Sequence, residues 1–375
     1  MKARPLIFSA SIGQGHQQAA KALCTELEKK GYAPKIIDTF YNLSPLLHHC
    51  IVKSYLNLLK LGPSVWRKIY FNAEKQSYFL YIDRFSTLFT DRLHKMIAEE
   101  ENVPFIISTH PFVTPFLTTV KKKRNINIPI YYVITDFLMH PAYLREGVDL
   151  YFTADPTSFH FAKKNNYPVD RFCLTGIPVP GHPAFTSTKS KSRELLGLDE
   201  NKKMVLIAGG GFGLAKYVKV IRALEKSNEE LTIICMTGTN TKAARKIESY
   251  KSKHHLRVLP FTDRFLDYLR ASDVVISKSG GLTMSEALIC ETPIIIYKPV
   301  PGHEEHNAQY LVEKGAAVKI QDDDELPLII KRVLFQKKLS EEMRHSARKI
   351  KKPTAAEKIV EEMILALEQK QQAVR

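Results

Sequence analysis

The chain has 375 residues, 44% of them hydrophobic and 25% charged, which is ample for two domains and unlike a disordered or fibrous composition. Its formal net charge of +16 is spread about evenly over the two halves, so no basic tail carries it. A diffusely basic surface suits an anionic partner, and nucleic acid is set aside because there is no zinc-finger spacing, RNP-like aromatic motif or basic reading helix.

Residues 4–10 form a short apolar strand, followed by the loop Ser11 to His16 and a helix over 17–30 with Ala19, Ala20, Leu23 and Leu27 on one face. The spacing of Gly13 and Gly15 starts like a dinucleotide fingerprint, but Gln18 stands where Gly or Ala is needed, which discounts NAD. His16 could be a core-facing or capping histidine. A polar ring beside two glycines, above the carboxyl end of a strand, is better placed for chemistry.

A second strand, Lys35 to Asp38, leads into a helical, aromatic-rich stretch from Pro45 to Lys95. It carries Lys53, Lys60, Arg67, Lys68, Lys75, Arg84, Arg92 and Lys95 against Glu74, Asp83 and Asp91, with Trp66, Tyr70, Phe71 and Tyr78 interleaved. That composition fits an interfacial membrane element and fits an ordinary packed helical insertion equally well. Buried strands follow at 104–111, ending in His110, and at 129–137, ending in Asp136 with His140 just beyond. Both bring polar groups to the same sheet edge as His16, although Asp136 could merely cap a helix. Strands at 149–154 and 175–179 complete the first half, and the polar run Thr186 to Ser192 reads as a linker.

The opening theme then recurs. The strand Met204 to Ala208 runs into Gly209, Gly210, Gly211 and Gly213 and a helix from Leu214. Two such starts imply two doubly wound domains facing each other across a cleft. Further strands span 232–238, 257–261 and 273–277. Asp322 to Asp324 contains an Asp-x-Asp, but acidic residues opening a helix already have a dipole reason, so it is read as a helix start and not a metal site. A last helix over 354–369 has an apolar face.

The most informative stretch is Ser277 to Asn307. Ser279, Gly280 and Gly281 precede the amphipathic run 282–289, so the N–H groups and positive dipole end of that helix face a side-chain-poor opening suited to a phosphate. Glu286, one turn further in, could accept from ribose hydroxyls. After the strand Pro293 to Tyr297, a Pro-Gly loop presents Glu304, Glu305 and Asn307 as hydroxyl-binding groups. Each piece alone could be a tight turn or a solvated face. Together they read as a nucleotide-sugar site.

The five cysteines, Cys24, Cys50, Cys173, Cys235 and Cys290, are widely spaced in apolar contexts and are expected to be reduced in a cytosolic protein. No apolar h-region opens the chain, so no signal peptide is expected. No apolar run reaches about 18 residues, the nearest, Val103 to Val120, being broken by Pro and His. Any membrane contact is expected to be peripheral.

These motifs resemble the GT-B glycosyltransferases related to monogalactosyldiacylglycerol synthases and bacterial diacylglycerol glucosyltransferases and, more distantly, the peptidoglycan UDP-N-acetylglucosamine transferase. The resemblance implies an α/β GT-B fold of two Rossmann-like doubly wound domains facing a central cleft. It implies an acceptor and membrane domain over 1–185, a UDP-sugar domain over 193–352, and a terminal helix over 354–375 returning to the first domain. It implies a catalytic base at His16 or Asp136, with His110 and His140 on the acceptor side. Donor contacts would come from Gly15, Gly210, Gly211, Gly213, Phe261, Thr262, Ser279, Gly280, Gly281, Thr283, Glu286, His303, Glu304 and Asn307, with backbone groups at 261 and 262 reading uracil. The reaction implied is inverting, metal-independent transfer of a hexose from a UDP-sugar to diacylglycerol at the inner, anionic face of the cell membrane. UDP-hexose is a co-substrate there, and no cofactor is expected. Tyr143 stands where many relatives place Trp, and His303 where the lipid transferases usually show Gln. Other readings are a transferase of the same fold with another lipid-linked or soluble acceptor, a UDP-sugar epimerase, and a non-catalytic UDP-sugar sensor. The sensor is disfavoured because it would need neither His16 nor Asp136.

Overall fold

The computed structural model describes residues 2–72, 77–181 and 185–374, with backbone alone at 60, 61, 63, 69, 72, 77–81, 373 and 374. The chain gathers into two compact units. One comprises Met1–Pro180, Pro301–His303 and Thr354–Arg375, the other Gly181–Val300 and Glu304–Pro353.

In the first unit, β1 (Leu6–Ser9), β2 (Lys35–Asp38), β3 (Ile106–Ser108), β4 (Ile130–Val133), β5 (Leu150–Thr153) and β6 (Phe172–Leu174) form a parallel sheet in the order β2-β1-β3-β4-β5-β6. Both faces are covered, which is why the central strands read as continuous apolar runs. Leu6, Phe8, Ile106 and Tyr132 face one core. Ile7, Ile107, Tyr131 and Val133 face the other, against Ala20, Leu23 and Leu27 of the helix Gln14–Lys29 and Ile359, Val360 and Met363 of the last helix, Ala355–Val374. Full burial of such side chains stabilises by ~1.5–3 kcal/mol each. The last helix is therefore an integral layer of the first unit.

In the second unit, β7 (Lys203–Ala208), β8 (Leu231–Gly238), β9 (His255–Pro260), β10 (Val274–Ser277), β11 (Ile294–Ile296) and β12 (Ala317–Lys319) form a parallel sheet in the order β12-β11-β10-β7-β8-β9. In each sheet the chain builds outward from its first strand and then returns to that strand's other side. The reversal falls between β1 and β3 in the first unit and between β7 and β10 in the second. Ligands of open parallel sheets bind at the carboxyl ends of the strands at such switch points.

Several local expectations are corrected. The strand expected at 175–179 is absent. The pairing strand there is β6, and beyond it β5 has ended, so the N–H groups of Thr175 and Gly176 share the Thr153 carbonyl, each at 3.0 Å. The expected linker at 186–192 is largely the start of a helix, Lys189–Leu196, whose N-cap Thr188 accepts from the Lys191 N–H and whose end is Gly197 in the left-handed region. Its Arg193 is buried against Asp273 at 2.8 Å, a pairing across 80 residues that no local pattern shows. The stretch 45–95 is helical, with helices Pro45–Leu61, Pro63–Asn72, Ser77–Ser86 and, at its end, Thr90–Ala98. Glu74 and Lys75 lie outside the described residues, as do the side chains of Lys60 and Tyr78. Among the described residues, no helix is long and apolar enough to cross a membrane.

Candidate active site

At the first switch point, the loop after β1 is pinned by Asp38, which ends β2. Its Oδ2 accepts from the Ser11 N–H at 3.1 Å and from the Ser11 hydroxyl, and Gln17 Nε2 donates to Ser11 Oγ at 2.8 Å. Gly13 turns the loop into the helix at φ 97°, a conformation that L side chains rarely adopt. The helix starts at Gln14, earlier than expected, which puts Gly15 and His16 in its first turn.

His16 Nδ1 lies 2.8 Å from the Thr109 carbonyl oxygen and 2.9 Å from Thr135 Oγ1. A carbonyl only accepts, so Nδ1 carries the ring proton and Nε2 carries the lone pair. Burial pushes the imidazole down to about 4, against the opposing pull of the Asp136 carboxylate and the Thr109 carbonyl. His16 is thus neutral at neutral pH, with its basic nitrogen defined.

Asp136 lies three residues beyond β4, in a bend, and is buried. The Tyr143 hydroxyl donates to its Oδ2 at 2.6 Å. Burial and the Asp136 charge push the Tyr143 phenol well above its ordinary pKa, which keeps it a donor. His140 Nδ1 accepts from the Ala142 N–H at 3.1 Å and caps the short 3-10 turn Pro141–Tyr143 that aims Tyr143. The His140 ring lies 4.3 Å from Tyr70.

His110 lies under His16, ring centres 4.2 Å apart. Its Nδ1 accepts from the Phe112 N–H at 3.1 Å, and the ring also bonds to the Ile12 backbone. Burial, with His16 beside it, drives its pKa well below the usual value. In this arrangement His110 braces the His16 loop. His303 groups with the first unit, its ring 6.1 Å from Tyr70, beside Pro301, whose carbonyl accepts from Trp66 Nε1 at 3.1 Å.

At the second switch point, Gly209 to Gly213 follow β7. A Cβ at Gly213, φ 57°, would stand 2.0 Å from the Thr237 carbonyl oxygen, so only glycine lets this loop lie against β8. Beside it, β10 delivers Lys278, Ser279 and Gly280 into the helix Gly281–Ile289. Gly280 offers no side-chain cap and the first turn holds no acidic residue, so the N–H groups of Gly281, Leu282 and Thr283 form an anion-seeking end. Glu286 is buried on that helix, and burial alone raises its carboxyl to about 8. Phe261, 49% exposed, and Thr262 follow β9 at the same sheet edge.

The expected Pro-Gly loop carrying Glu304, Glu305 and Asn307 is instead the first turn of a helix, His303–Glu313. Ser279 Oγ donates to the Glu304 carbonyl at 2.5 Å, and Asn307 Nδ2 donates to the Ser279 carbonyl at 3.1 Å, so these two residues tie that turn to the loop Lys278–Gly280. The Glu304 side chain is buried, with Oε2 accepting from the Val300 N–H at 2.8 Å and Oε1 paired with Lys278 Nζ. Lys278 was not singled out from the sequence, where its neighbouring glycines carried the signal. Asp323, in the Asp-x-Asp, is bound by Lys219, by Lys298 at 3.0 Å and by the Tyr297 hydroxyl at 2.8 Å, contacts that hold its carboxyl well below the usual range.

Residues 16–179 match the family model for monogalactosyldiacylglycerol (MGDG) synthase, and residues 204–364 match that for the glycosyltransferase family 28 C-terminal domain. A processive diacylglycerol beta-glucosyltransferase of Bacillus cereus (strain AH187) is 29% identical over 362 residues, covering 96% of this chain and 92% of that protein. Among solved structures, the glycotransferase of kitacinnamycin superposes with a TM-score of 0.65 at 12% identity, covering 98% of this chain and 99% of that one. Anabaena Alr3699/HepE in complex with UDP-glucose gives 0.56 at 13% identity, covering 97% and 99%. With both sheets wound as a Rossmann-like domain requires, the chain is a glycosyltransferase of the GT-B fold whose two halves match the monogalactosyldiacylglycerol synthase and family 28 C-terminal models, and which is similar over nearly its whole length to processive diacylglycerol glucosyltransferases.

Proposed function

We propose that this enzyme transfers a hexose from a UDP-sugar to diacylglycerol by a single displacement that inverts the anomeric centre. The observation that carries the reading is the fixed tautomer of His16, a neutral base with its lone pair on Nε2. The acceptor hydroxyl oxygen forms the new bond to the anomeric carbon, its proton passes to Nε2, and the bond to the diphosphate oxygen breaks with its electrons leaving on UDP. Asp136, held by Tyr143, stabilises the imidazolium that results. The reading of acceptor and donor class is supported by a relative named as a diacylglycerol glucosyltransferase and by a neighbour of the same fold that binds UDP-glucose.

The second unit holds the UDP part of the donor. Phe261 and Thr262 meet the base, Glu286 the ribose, the glycine loop and the end at Gly281 the diphosphate, and the turn from His303 to Asn307 the hexose. Leaving-group charge falls on backbone amides, which need no metal to be effective. Adding EDTA is expected to leave turnover unchanged.

The acceptor lies in a membrane, and the helices of residues 45–95 face it. Leu46 and Leu88 are 73% and 75% exposed, and Val65 and Phe85 are exposed too, among exposed Lys53, Arg67, Lys68, Arg84, Arg92 and Lys95. Exposed apolar side chains flanked by cations bind at the headgroup level of anionic bilayers. The enzyme then works peripherally on the cytoplasmic face. Label transfer from a panel of UDP-sugars into lipid, with and without diacylglycerol, tests the reading. Label found only in lipids other than diacylglycerol would move the acceptor, and label found only in free sugar would remove it.

A further inference from the structure

Lys278 is the first residue beyond β10 and stands at the second switch point, next to the glycine loop that ends β7. Two glycines leave it bare. A Cβ at Gly210 would lie 3.2 Å from Lys278 Cε and 3.7 Å from Nζ, and a Cβ at Gly280 would lie 3.5 Å from Nζ and 3.6 Å from Glu304 Oε1. The ammonium is thus bordered by two loops that carry no side chain where they approach it. Its carboxylate, Glu304, is only 2% exposed, while Lys278 is 20% exposed, so the pair opens toward solvent on its cationic side. A structural ion pair has no need of that geometry. A ligand anion that must reach both the ammonium and the backbone amides does.

We propose that Lys278 binds the diphosphate of the UDP-sugar directly and carries the negative charge that grows there as the glycosidic bond breaks, with Glu304 holding the ammonium in place before the donor arrives. This rests on the UDP-sugar reading and adds a point charge to the backbone amides already assigned to that step. Lysine suits the role because a compact ammonium on a flexible stem can turn from a carboxylate to a phosphate without leaving its loop.

Calorimetry with UDP and with uridine separates the diphosphate from the nucleoside. In Lys278→Met, UDP affinity is expected to fall about 10- to 100-fold while uridine affinity stays within about twofold, and Lys278→Arg should recover most of the loss. Turnover at saturating donor should fall in Lys278→Met as well, because the same charge acts on the leaving group. Should Lys278→Met fail to fold, Lys278→Gln keeps a hydrogen bond to Glu304, and the same split between UDP and uridine is expected of it. Equal losses for UDP and uridine, or no loss for either, would overturn the proposal and leave Lys278 as a scaffold for Glu304. If the parent protein binds neither ligand, the UDP-sugar reading itself fails.

Discussion

His16 gives its Nδ1 proton to the Thr109 carbonyl at 2.8 Å, across 93 residues of sequence. This bond joins the first helical turn after β1 to the end of β3, the two strands that flank the switch point. It fixes which nitrogen can take a proton. Replacing His16 with Ala is expected to lower turnover by about 10²–10⁴ while leaving UDP affinity nearly unchanged. Because burial holds the ring at about 4, the rate at saturating donor should be flat from neutral pH down to roughly 5 and fall as pH drops through 4, where Nε2 becomes protonated. Asp136→Asn removes the carboxylate that raises this value, so the acid limb should move to still lower pH. A pH profile of kcat at saturating donor reads both effects, and an acid limb near 6.5 in the parent would contradict the part-buried, neutral ring.

Tyr143→Phe tests how Asp136 is held. Losing the 2.6 Å donor leaves a buried carboxylate short of a partner, a change on the order of 1–3 kcal/mol. Turnover should fall roughly tenfold with no change in UDP affinity, since the residues assigned to UDP itself, Phe261, Thr262, Glu286, the glycine loop and Gly281, belong to the other unit. Unaltered turnover would mean that Asp136 does not depend on this phenol. If Asp136→Ala proves far more damaging than His16→Ala, the two residues exchange roles.

Glu286 should couple donor binding to pH. Its carboxyl is raised to about 8 by burial, so near neutral pH it is largely protonated, and ribose hydroxyls donating to it favour the charged form. UDP binding should release protons, and affinity should rise with pH up to about 8. Calorimetry in buffers of different ionisation enthalpy measures the release. In Glu286→Gln the release should vanish, and UDP should bind more weakly by about 1.5–3 kcal/mol. Proton release that persists in the variant would place the titrating group elsewhere.

The membrane face makes a separate prediction. Basic residues near an anionic surface contribute about 1 kcal/mol each and are screened within a Debye length, so vesicle binding should fall steeply with salt. Leu46→Asp together with Leu88→Asp should weaken it further without changing UDP affinity. Equal binding to neutral and anionic vesicles would contradict the electrostatic part.

Much of this architecture is legible in the sequence because it depends on short-range pattern. Buried parallel strands announce themselves as apolar runs, and a glycine loop between a strand and a helix marks a switch point. His16 and Asp136 could be placed at one sheet edge for that reason, and the structure puts the Asp136 charge close enough to act on His16. What the pattern hides is long-range pairing. The helix Lys189–Leu196 looks like a polar linker until Arg193 meets Asp273, and the turn at 303–307 looks like a loop until Ser279 and Asn307 tie it down. The pairing of Lys278 with Glu304 is of the same kind. Asp38, read only as the end of a strand, anchors the whole His16 loop through Ser11 and Gln17.

The most direct test of the central claim is the product itself. The protein, with labelled UDP-glucose and UDP-galactose in turn and vesicles containing diacylglycerol, is expected to yield a chloroform-soluble hexosyl-diacylglycerol whose anomeric configuration is inverted relative to the donor. Formation of that lipid should require diacylglycerol and be lost in His16→Ala. A lipid product that retains the donor's configuration, or label recovered only as an epimerised UDP-sugar, would contradict it.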